Sequence, residues 1–452
     1  MNSFLKKTAT VAVAFLVLVL HAAPIIQDGD RVVFLGDSIT HGGSYICWAQ
    51  AFYELRTPMN VRFYNAGISG DTAAGGISRL KKDVLDRNPN KVVIMFGMND
   101  VRRNLYSKGG TQIDEKRDAA LKRYEKNLNK ICDELQNAKI EVILCTPTPF
   151  DQYRKNSKST CNEPGLSSIA QIVRNTVEKR GFKLIDYHRP MTEILKNQPK
   201  CNPISGDRVH PNYMGHLMMT YFFCKQSGLD GKISTVKLDF KTGKLVLAEN
   251  AEVTDLRRTS NGFTFQYQPA KLPFKTVAKW EKDLNTLVPF TQEFNTELLQ
   301  IEGLEEGTYS VSGEGFYSKF SSEDLAKGVN LAQLNTPARK QSAKASKQIA
   351  VIAKCHQALR NVALADRYAK QMKADLNDPD ACLKAVDEWF AREFPDQTKT
   401  NGRKKYYESI IRSYKKNKKN VDEIERRLEE AFVNLRKECH PVSYQLVIRK
   451  EK

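Results

Sequence analysis

The sequence predicts a three-layer α/β/α domain with a parallel sheet, followed by a small β-rich module and a helical C-terminal region. Between about residues 30 and 226, apolar strand-like runs alternate with helical segments, which is typical of α/β domains. One of these runs, Lys91–Phe96, is almost entirely apolar, as expected for a strand that helices cover on both faces. After about Gly228 the runs become short and alternating, and from Pro337 onward the pattern is charged and helical. The chain of 452 residues is long enough for about two to three domains of ordinary size.

Residues 1–23 have the composition of a secretory signal peptide. Two lysines precede an apolar run, Val11–Leu20, and the small residues Ala22 and Ala23 follow it. A charged start, a short apolar centre and a small-residue cleavage site are the three parts of such a signal. We therefore expect this segment to be removed and the mature chain to be exported, to the periplasm or outside the cell. No later run approaches the length of a membrane-spanning helix, so no integral membrane segment is expected after cleavage.

The α/β domain is expected over residues 24–228. Its five predicted strands are Arg31–Leu35, Val61–Tyr64, Lys91–Phe96, Glu141–Cys145 and Lys183–Ile185. The segments between them have helical spacing; within residues 119–137, for example, Leu121, Tyr124 and Leu128 fall on one face. Strands that alternate with helices pair in parallel, because each crossover helix returns the chain to the same end of the sheet.

The rest of the chain divides into two further regions. Residues 229–320 form the predicted β-rich module, which has alternating runs and a turn signal at Asn261-Gly262. Residues 321–452 form the predicted basic helical region. Its helices are expected over Arg339–Ala374, Asp380–Phe394 and Lys404–Cys439.

The charge excess is uneven along the chain. Lys and Arg total 71 against 52 Asp and Glu, a formal net charge of +19. Residues 337–452 hold 27 of the basic and 16 of the acidic residues, so this region carries more than half of the excess. A solvated helix face explains such a pattern more simply than an anionic partner does. Because no known nucleic-acid-binding module accompanies the charge, nucleic acid is not expected to be a partner.

The cysteine content gives a weak indication of a disulfide. Nine cysteines follow residue 23, so at least one has no intramolecular partner. Cys132 and Cys145 lie in apolar segments and are expected to be buried thiols. Cys161 and Cys201 lie in loop-like segments and are the pair that we expect to form a disulfide. No Cys/His spacing indicates a zinc site, and neither a metal nor an organic cofactor is expected.

Three short blocks of polar residues follow predicted strands. Gly36-Asp37-Ser38 places a serine directly after a buried strand, at the edge of the sheet where α/β proteins bind ligands. In the block from Gly67 to Asp71, glycines allow the backbone to approach a substrate oxygen. In the block that ends with Asn99, the side-chain amide can donate a hydrogen bond to an oxyanion. Taken singly, each block is also an ordinary helix cap or turn.

A fourth block, from Asp207 to His210, brings a carboxylate and an imidazole within one local turn. Such a carboxylate can orient the imidazole, which then serves as a general base for a hydroxyl group elsewhere. Taken alone, this block is also consistent with an incidental surface histidine. Asp186 and His188 form a competing pair, which we rank lower because side chains diverge at a strand exit.

Together, the order, positions and chemistry of the four blocks resemble the SGNH hydrolase superfamily, also called the GDSL-type esterases and lipases. The resemblance covers about residues 30 to 226. It implies that Ser38 is the nucleophile, that His210 is the general base and that Asp207 orients the imidazole.

The same resemblance implies an oxyanion hole. Its three donors are the backbone N–H groups of Ser38 and Gly70 and the side chain of Asn99. Gly67 is the alternative to Gly70 if the register is shifted. The implied activity is hydrolysis of carboxylic esters through an acyl-serine intermediate.

The substrate is less clearly indicated than the reaction. By analogy at the level of the fold, the combination of an export signal and an appended β-module favours short-acyl esters, such as acetyl groups on carbohydrates, as the substrates. The expected partner is therefore a small ester or an acylated polysaccharide. The alternatives are a lysophospholipase or other lipid esterase, and a non-catalytic glycan- or envelope-binding protein built on a hydrolase scaffold. The absence of a long apolar insertion near the four blocks weighs against lipids, and the intact Ser38 and His210 weigh against a non-catalytic protein.

Overall fold

The computed structural model describes residues 24–107, 111–275, 278–396 and 401–452. The predicted signal peptide, residues 1–23, lies outside the described residues. Within the described ranges, no helix is both long enough and apolar enough to cross a membrane.

A parallel five-stranded sheet forms the centre of the first domain. Its strands, in chain order, are β1 (Arg31–Gly36), β2 (Arg62–Gly67), β3 (Lys91–Met95), β4 (Glu141–Cys145) and β5 (Lys183–Ile185). They lie side by side in the order β2-β1-β3-β4-β5, and every neighbouring pair is parallel. The first three strands are buried along nearly their whole length, as helices on both faces require. The predicted α/β fold class is confirmed.

Helices alternate with these strands. Those described are α1 (Ser38–Gly42), α2 (Ser44–Arg56), α3 (Ala73–Ser78), α4 (Leu80–Asp83), α5 (Thr111–Asn137), α6 (Ser167–Arg180), α7 (His188–Lys196) and α8 (Tyr213–Gln226). Helix α5 begins eight residues before the helical pattern that the sequence shows from residue 119. Its first turns are dominated by charged residues, so they carry little of the apolar periodicity by which a helix is recognised.

The strand order places the ends of three strands together. Gly36 at the end of β1 pairs with Gly67 on β2 and with Met95 on β3. The three segments that follow these strands therefore start at the same edge of the sheet. Here the chain order reverses on either side of β1, which is where open α/β sheets bind their ligands.

The β-rich module contains two sheets. Its strands are β6 (Ser234–Asp239), β7 (Lys244–Glu249), β8 (Ala251–Thr259), β9 (Gly262–Pro269), β10 (Glu297–Glu302), β11 (Thr308–Gly313), β12 (Phe316–Ser321), β13 (Val329–Asn330) and, from the last part of the chain, β14 (Tyr444–Lys450). The first sheet has the order β13-β10-β6-β7 and the second has the order β12-β11-β14-β9-β8. Short helices accompany them: α9 (Ala278–Asn285), α10 (Phe290–Phe294) and α11 (Ser322–Lys327).

The C-terminal region is mostly helical. Its helices are α12 (Pro337–Gln371), α13 (Pro379–Glu393), α14 (Gly402–Asn417) and α15 (Val421–Glu438). The single helix that the sequence predicts over residues 404–439 is two helices, α14 and α15, with a short 3-10 turn between them at Lys418–Asn420. Strand β14 was not predicted from the sequence, yet it pairs with both β9 and β11. The chain therefore returns from the helices to the centre of the second β-sheet.

The helical region packs against the α/β domain through ion pairs as well as apolar contacts. Arg360 on α12 pairs with Asp83 at 3.3 Å, and Arg436 on α15 pairs with Glu54 on α2 at 3.4 Å. Three of these four side chains are largely buried, and only Arg436 is partly exposed. Part of the basic excess of this region thus neutralises carboxylates of the first domain, and only the remainder forms a solvated face.

The predicted disulfide between Cys161 and Cys201 is wrong, because all nine cysteines are free thiols. Cys161 is buried at the start of a short π-helical turn (Cys161–Leu166), whereas Cys201 is half-buried in a loop. Both lie in segments without a regular apolar pattern, so no local signal indicates that the two thiols end in different environments. Cys132 and Cys145 are buried as predicted.

Candidate active site

Three side chains from two distant blocks form a hydrogen-bonded chain. Ser38 is the first residue of α1, and its Oγ lies 2.8 Å from Nε2 of His210. The other ring nitrogen of His210, Nδ1, lies 2.5 Å from Oδ2 of Asp207. With its Nδ1–H donated to the carboxylate, the neutral imidazole presents a lone pair on Nε2 to the serine hydroxyl. This is the tautomer that can accept the hydroxyl proton.

Asp207 is held as an anion by several donors. Its Oδ1 accepts hydrogen bonds from the backbone N–H groups of Val209 and His210, each at 3.0 Å, and from Oγ of Ser205 at 2.9 Å. Burial alone would raise the pKa of Asp207, but hydrogen bonds from the His210 side chain and from these backbone groups outweigh it and lower the pKa well below its usual range. The carboxylate is therefore ionised at neutral pH and fixes the imidazole.

The competing pair of Asp186 and His188 is not assembled. His188 is buried, and its Nε2 lies 3.2 Å from Oδ1 of Asn162. Asp186 instead accepts hydrogen bonds from Thr146 and Arg174. Burial lowers the pKa of His188 to about 4, so this imidazole is neutral and has a structural role.

The two candidate glycines differ in what their backbone N–H groups do. The N–H of Gly67 donates to Oδ1 of Asn65 at 2.8 Å, and a Cβ there would meet the backbone of His41. Gly70 has a φ of +74°, and a Cβ there would meet open space. Within the described residues, no protein acceptor takes the Gly70 N–H. Gly70, and not Gly67, thus has a donor free for a ligand.

The Asn99 amide is fixed at both ends. Its Nδ2 donates to the backbone oxygen of Asp71 at 2.8 Å, and its Oδ1 accepts from Nη1 of Arg103 at 3.1 Å. Since the amide nitrogen carries two hydrogens, one of them remains for a ligand. The hydrogen bond to Asp71 also brings the third block against the second.

Arg79 joins the first two blocks and was not singled out from the sequence. Its guanidinium donates to the carbonyl oxygens of Gly36 at 3.0 Å and Ala66 at 2.6 Å, and to Oδ2 of Asp71 at 2.7 Å. These bonds fix the ends of β1 and β2 relative to each other. Arg79 lies outside every recognised block, so no sequence signal marked it.

Two carboxyl groups beneath the site have raised pKa values. Burial raises the pKa of Asp37 to about 7, although the N–H of Ile39 lowers it; the nearby Asp100 and Asp71 raise it further. Burial likewise raises the pKa of Asp100 to about 6, against the effect of the Ala73 N–H, which donates to it at 3.0 Å. Crowded carboxyl groups of this kind hold protons that they would lose in water.

An aromatic cluster adjoins the histidine block. Tyr213 is the first residue of α8, three residues after His210, and is 38% exposed. Its ring centroid lies 4.6 Å from that of Trp48 on α2 and 3.6 Å from that of Trp280 on α9. Trp280, from the β-rich module, therefore packs against the residue that begins α8. The three residues lie far apart in the chain, which is why the sequence did not reveal the cluster.

Comparison with known proteins agrees with this geometry. The model of the GDSL-like lipase/acylhydrolase family matches residues 34–218, the segment that carries all four blocks. An acetylxylan esterase of Geobacillus stearothermophilus is 25% identical over 221 residues, which are 45% of this chain and 97% of that protein. The α/β domain belongs to the SGNH hydrolase superfamily. The protein is accordingly an ester-hydrolysing enzyme, and the predicted enzyme class is confirmed.

Two further relatives extend the comparison. An uncharacterized lipoprotein of Bacillus subtilis (strain 168) is 30% identical over 148 residues, 30% of this chain and 56% of that protein. The solved structure of a gut microbial diltiazem-metabolizing enzyme has a TM-score of 0.83 and 24% identity, and the match covers 94% of this chain and 98% of that one. The fold of the α/β domain, together with that of the β-rich module and the helical region, is therefore found in a solved structure.

Proposed function

We propose that this SGNH hydrolase is an exported serine esterase that removes short acyl groups, in particular acetyl groups, from carbohydrates through an acyl-serine intermediate. The observation that carries the proposal is the hydrogen-bonded chain of Ser38, His210 and Asp207, with Ser38 Oγ 2.8 Å from His210 Nε2. A hydroxyl, a neutral imidazole and an ionised carboxylate in this order are the components of nucleophilic ester hydrolysis.

In the first half of the reaction, Ser38 attacks the ester carbonyl. As the bond from Oγ to the carbonyl carbon forms, Nε2 of His210 takes the hydroxyl proton and the carbonyl oxygen becomes an oxyanion. The N–H groups of Ser38 and Gly70 and the amide of Asn99 donate to this oxyanion, each contributing on the order of 3 kcal/mol in the transition state. His210 then gives its proton to the departing alcohol oxygen, which leaves an acyl-serine.

In the second half, water releases the acyl group. The oxygen of a water molecule attacks the acyl carbon while His210 takes a proton from that water. The same three donors stabilise the second oxyanion. The bond to Ser38 Oγ then breaks, and the proton on His210 returns to that oxygen. Asp207 remains ionised throughout and stabilises the imidazolium in both halves.

Two observations support acetylated carbohydrates as the substrate class. The relative that matches the α/β domain over nearly its own full length is an acetylxylan esterase. The exposed ring of Tyr213, backed by Trp48 and Trp280, offers a flat apolar surface on which the apolar face of a sugar ring can pack. The signal-like first 23 residues and the lipoprotein relative support export.

The reaction is tested by hydrolysis of p-nitrophenyl acetate, butyrate and octanoate by the mature protein. We expect activity that falls with chain length and is lost in Ser38→Ala. Activity that rises with chain length would favour a lipid esterase instead. If a folded protein shows no activity above that of Ser38→Ala, the esterase proposal fails and the binding-protein alternative gains support.

The substrate class is tested with acetylated xylo-oligosaccharides and the variant Tyr213→Leu. We expect the variant to have a raised KM for the oligosaccharides and an unchanged KM for p-nitrophenyl acetate, which has no sugar ring to pack. Tyr317→Leu is the matched control, because Tyr317 is an exposed tyrosine on β12. Equal effects of Tyr213→Leu on the two substrates would exclude a sugar-binding role.

A further inference from the structure

The segment that links β2 to α3, residues 68–72, carries Gly70 and meets the C-terminal helical region. We call it the Gly70 loop. Three of its residues, on both sides of Gly70, make contacts with α12 or α14 or with a side chain that these helices hold.

The first contact is apolar. Ile68 is 2% exposed, and it belongs to a cluster of buried apolar residues whose other members come from the helical region, among them Val362, Ile410 and Tyr414. Among the described residues, Ile68 is the only member of this cluster that comes from the α/β domain. The residue that begins the Gly70 loop is thus anchored in the core of the helical region and not in that of its own domain.

The second contact is polar and adjoins Gly70 directly. The hydroxyl of Tyr406 on α14 donates to Oγ of Ser69 at 2.7 Å. The N–H of Ser69 donates to Nδ1 of His41 at 3.3 Å, so the neutral imidazole carries its hydrogen on Nε2. That Nε2 lies 3.1 Å from Oδ1 of Asn361 on α12 and donates to it. Burial lowers the pKa of His41 to about 4, and the ring therefore stays neutral and keeps this arrangement.

The third contact follows Gly70. Oδ1 of Asp71 lies 3.5 Å from Nη1 of Arg367 on α12. The backbone oxygen of Asp71 also accepts a hydrogen bond from the Asn99 amide, at 2.8 Å. A shift of the Gly70 loop would therefore move two of the three proposed oxyanion donors together.

We propose that the C-terminal helical region is part of the active site, and that Tyr406 and Asn361 are positioning residues that fix the Gly70 loop for stabilisation of the oxyanion. The proposal rests on the proposed function, because it assigns the Gly70 N–H to that oxyanion. Docking of the helical region does not depend on these contacts. Helix α12 packs along α2 and β2, and β14 is held in the second β-sheet.

The variant Tyr406→Phe tests the proposal, because it removes one hydroxyl and keeps the ring. Loss of a single hydrogen bond that acts only through loop position should lower kcat by roughly threefold to tenfold, with KM for p-nitrophenyl acetate and Tm unchanged. Tyr407→Phe is the matched control: its hydroxyl meets Tyr368 within the helical region, and we expect no change in kcat. Because Tyr406 is 38% exposed, the variant should fold.

A double-mutant cycle with Ser69→Ala shows whether Tyr406 acts through this serine. We expect the double variant to lose no more kcat than the more impaired single variant, whereas independent effects would multiply. Amide hydrogen exchange of a peptide covering residues 67–72 gives a readout that does not need turnover. Exchange should be faster in Tyr406→Phe and unchanged in Tyr407→Phe.

The outcomes separate the two proposals. If the wild-type protein has no Ser38-dependent esterase activity, the proposed function fails, and the exchange measurement alone decides whether Tyr406 fixes the loop. If the wild-type protein is active and Tyr406→Phe changes neither kcat nor exchange, the positioning role is overturned. A fall in Tm equal in both tyrosine variants, accompanied by equal losses of kcat, would also overturn it, since general destabilisation would then explain the result.

Discussion

Replacing Asn99 by alanine removes the one proposed oxyanion donor that a side chain provides. The amide is held by two hydrogen bonds, from Nδ2 to the Asp71 carbonyl and from Arg103 to Oδ1. Its second N–H is already oriented before substrate binds. A preoriented donor requires no reorganisation as negative charge develops, so its effect falls on the transition state more than on the bound substrate.

The expected loss is at least a hundredfold in kcat. One oxyanion donor is worth about 3 kcal/mol, which corresponds to roughly a factor of a hundred in rate. The Asp71 carbonyl also loses the bond that ties it to the third block, which loosens the backbone beside Gly70 and adds to the loss. We expect KM for p-nitrophenyl acetate to change by less than about threefold, because the ground-state carbonyl carries little of the charge that the donor stabilises.

Steady-state kinetics on p-nitrophenyl acetate measure both constants. Asn420→Ala is a suitable control, because the Asn420 amide also donates to a backbone carbonyl, at 3.1 Å, but lies in the turn before α15. A kcat for Asn99→Ala within threefold of wild type would remove Asn99 from the oxyanion hole. A large rise in KM with unchanged kcat would assign it to substrate binding instead.

Three further predictions concern the acidic residues and the thiols. Asp207→Asn should lower kcat roughly a thousandfold at unchanged KM, since an amide neither stabilises the imidazolium nor fixes the tautomer; kinetics within tenfold of wild type would contradict this role. The pKa of Asp37 is raised from 3.8 to about 7 in the folded state. Its protonated carboxyl therefore contributes fully to the free energy of unfolding below the unfolded-state pKa, and this contribution is lost as the pH rises through about 7. In urea unfolding, raising the pH from about 5.5 to about 8 should therefore lower the free energy of unfolding of the wild type by about 2 kcal/mol more than that of Asp37→Asn. Equal decreases in the two proteins would be inconsistent with a buried protonated carboxyl. Thiol titration with Ellman's reagent should find the half-buried Cys201 reactive in the native protein and all nine cysteines reactive in guanidinium, and fewer than nine would indicate a disulfide.

The local patterns of the sequence were sufficient for the first domain. Both ends of each strand of the parallel sheet were predicted to within three residues, because a strand covered on both faces is an uninterrupted apolar run. The partners Ser38 and His210 were found because their blocks have a characteristic composition and each lies at a turn. In the folded chain the two blocks meet, with Oγ of Ser38 2.8 Å from Nε2 of His210.

The features that were missed depend on contacts between residues far apart in the chain. Strand β14 is a short alternating run after a long charged helix, and its place between β9 and β11 is decided by pairing that no local pattern shows. Tyr406 lies outside the four polar blocks, in a charged helical segment whose local pattern does not mark it. Its bond to Ser69 joins residues on either side of the whole β-rich module, and such a contact can be seen only in the folded chain.

The role of Ser38 as nucleophile is tested most directly by covalent labelling with an organophosphate ester such as diethyl p-nitrophenyl phosphate. We expect one diethylphosphoryl group per chain, located by peptide mass spectrometry on Ser38. Labelling should be absent at this position in Ser38→Ala and much slower in His210→Ala, because His210 must take the hydroxyl proton. Labelling of another residue, or equal labelling of wild type and Ser38→Ala, would show that Ser38 is not the nucleophile.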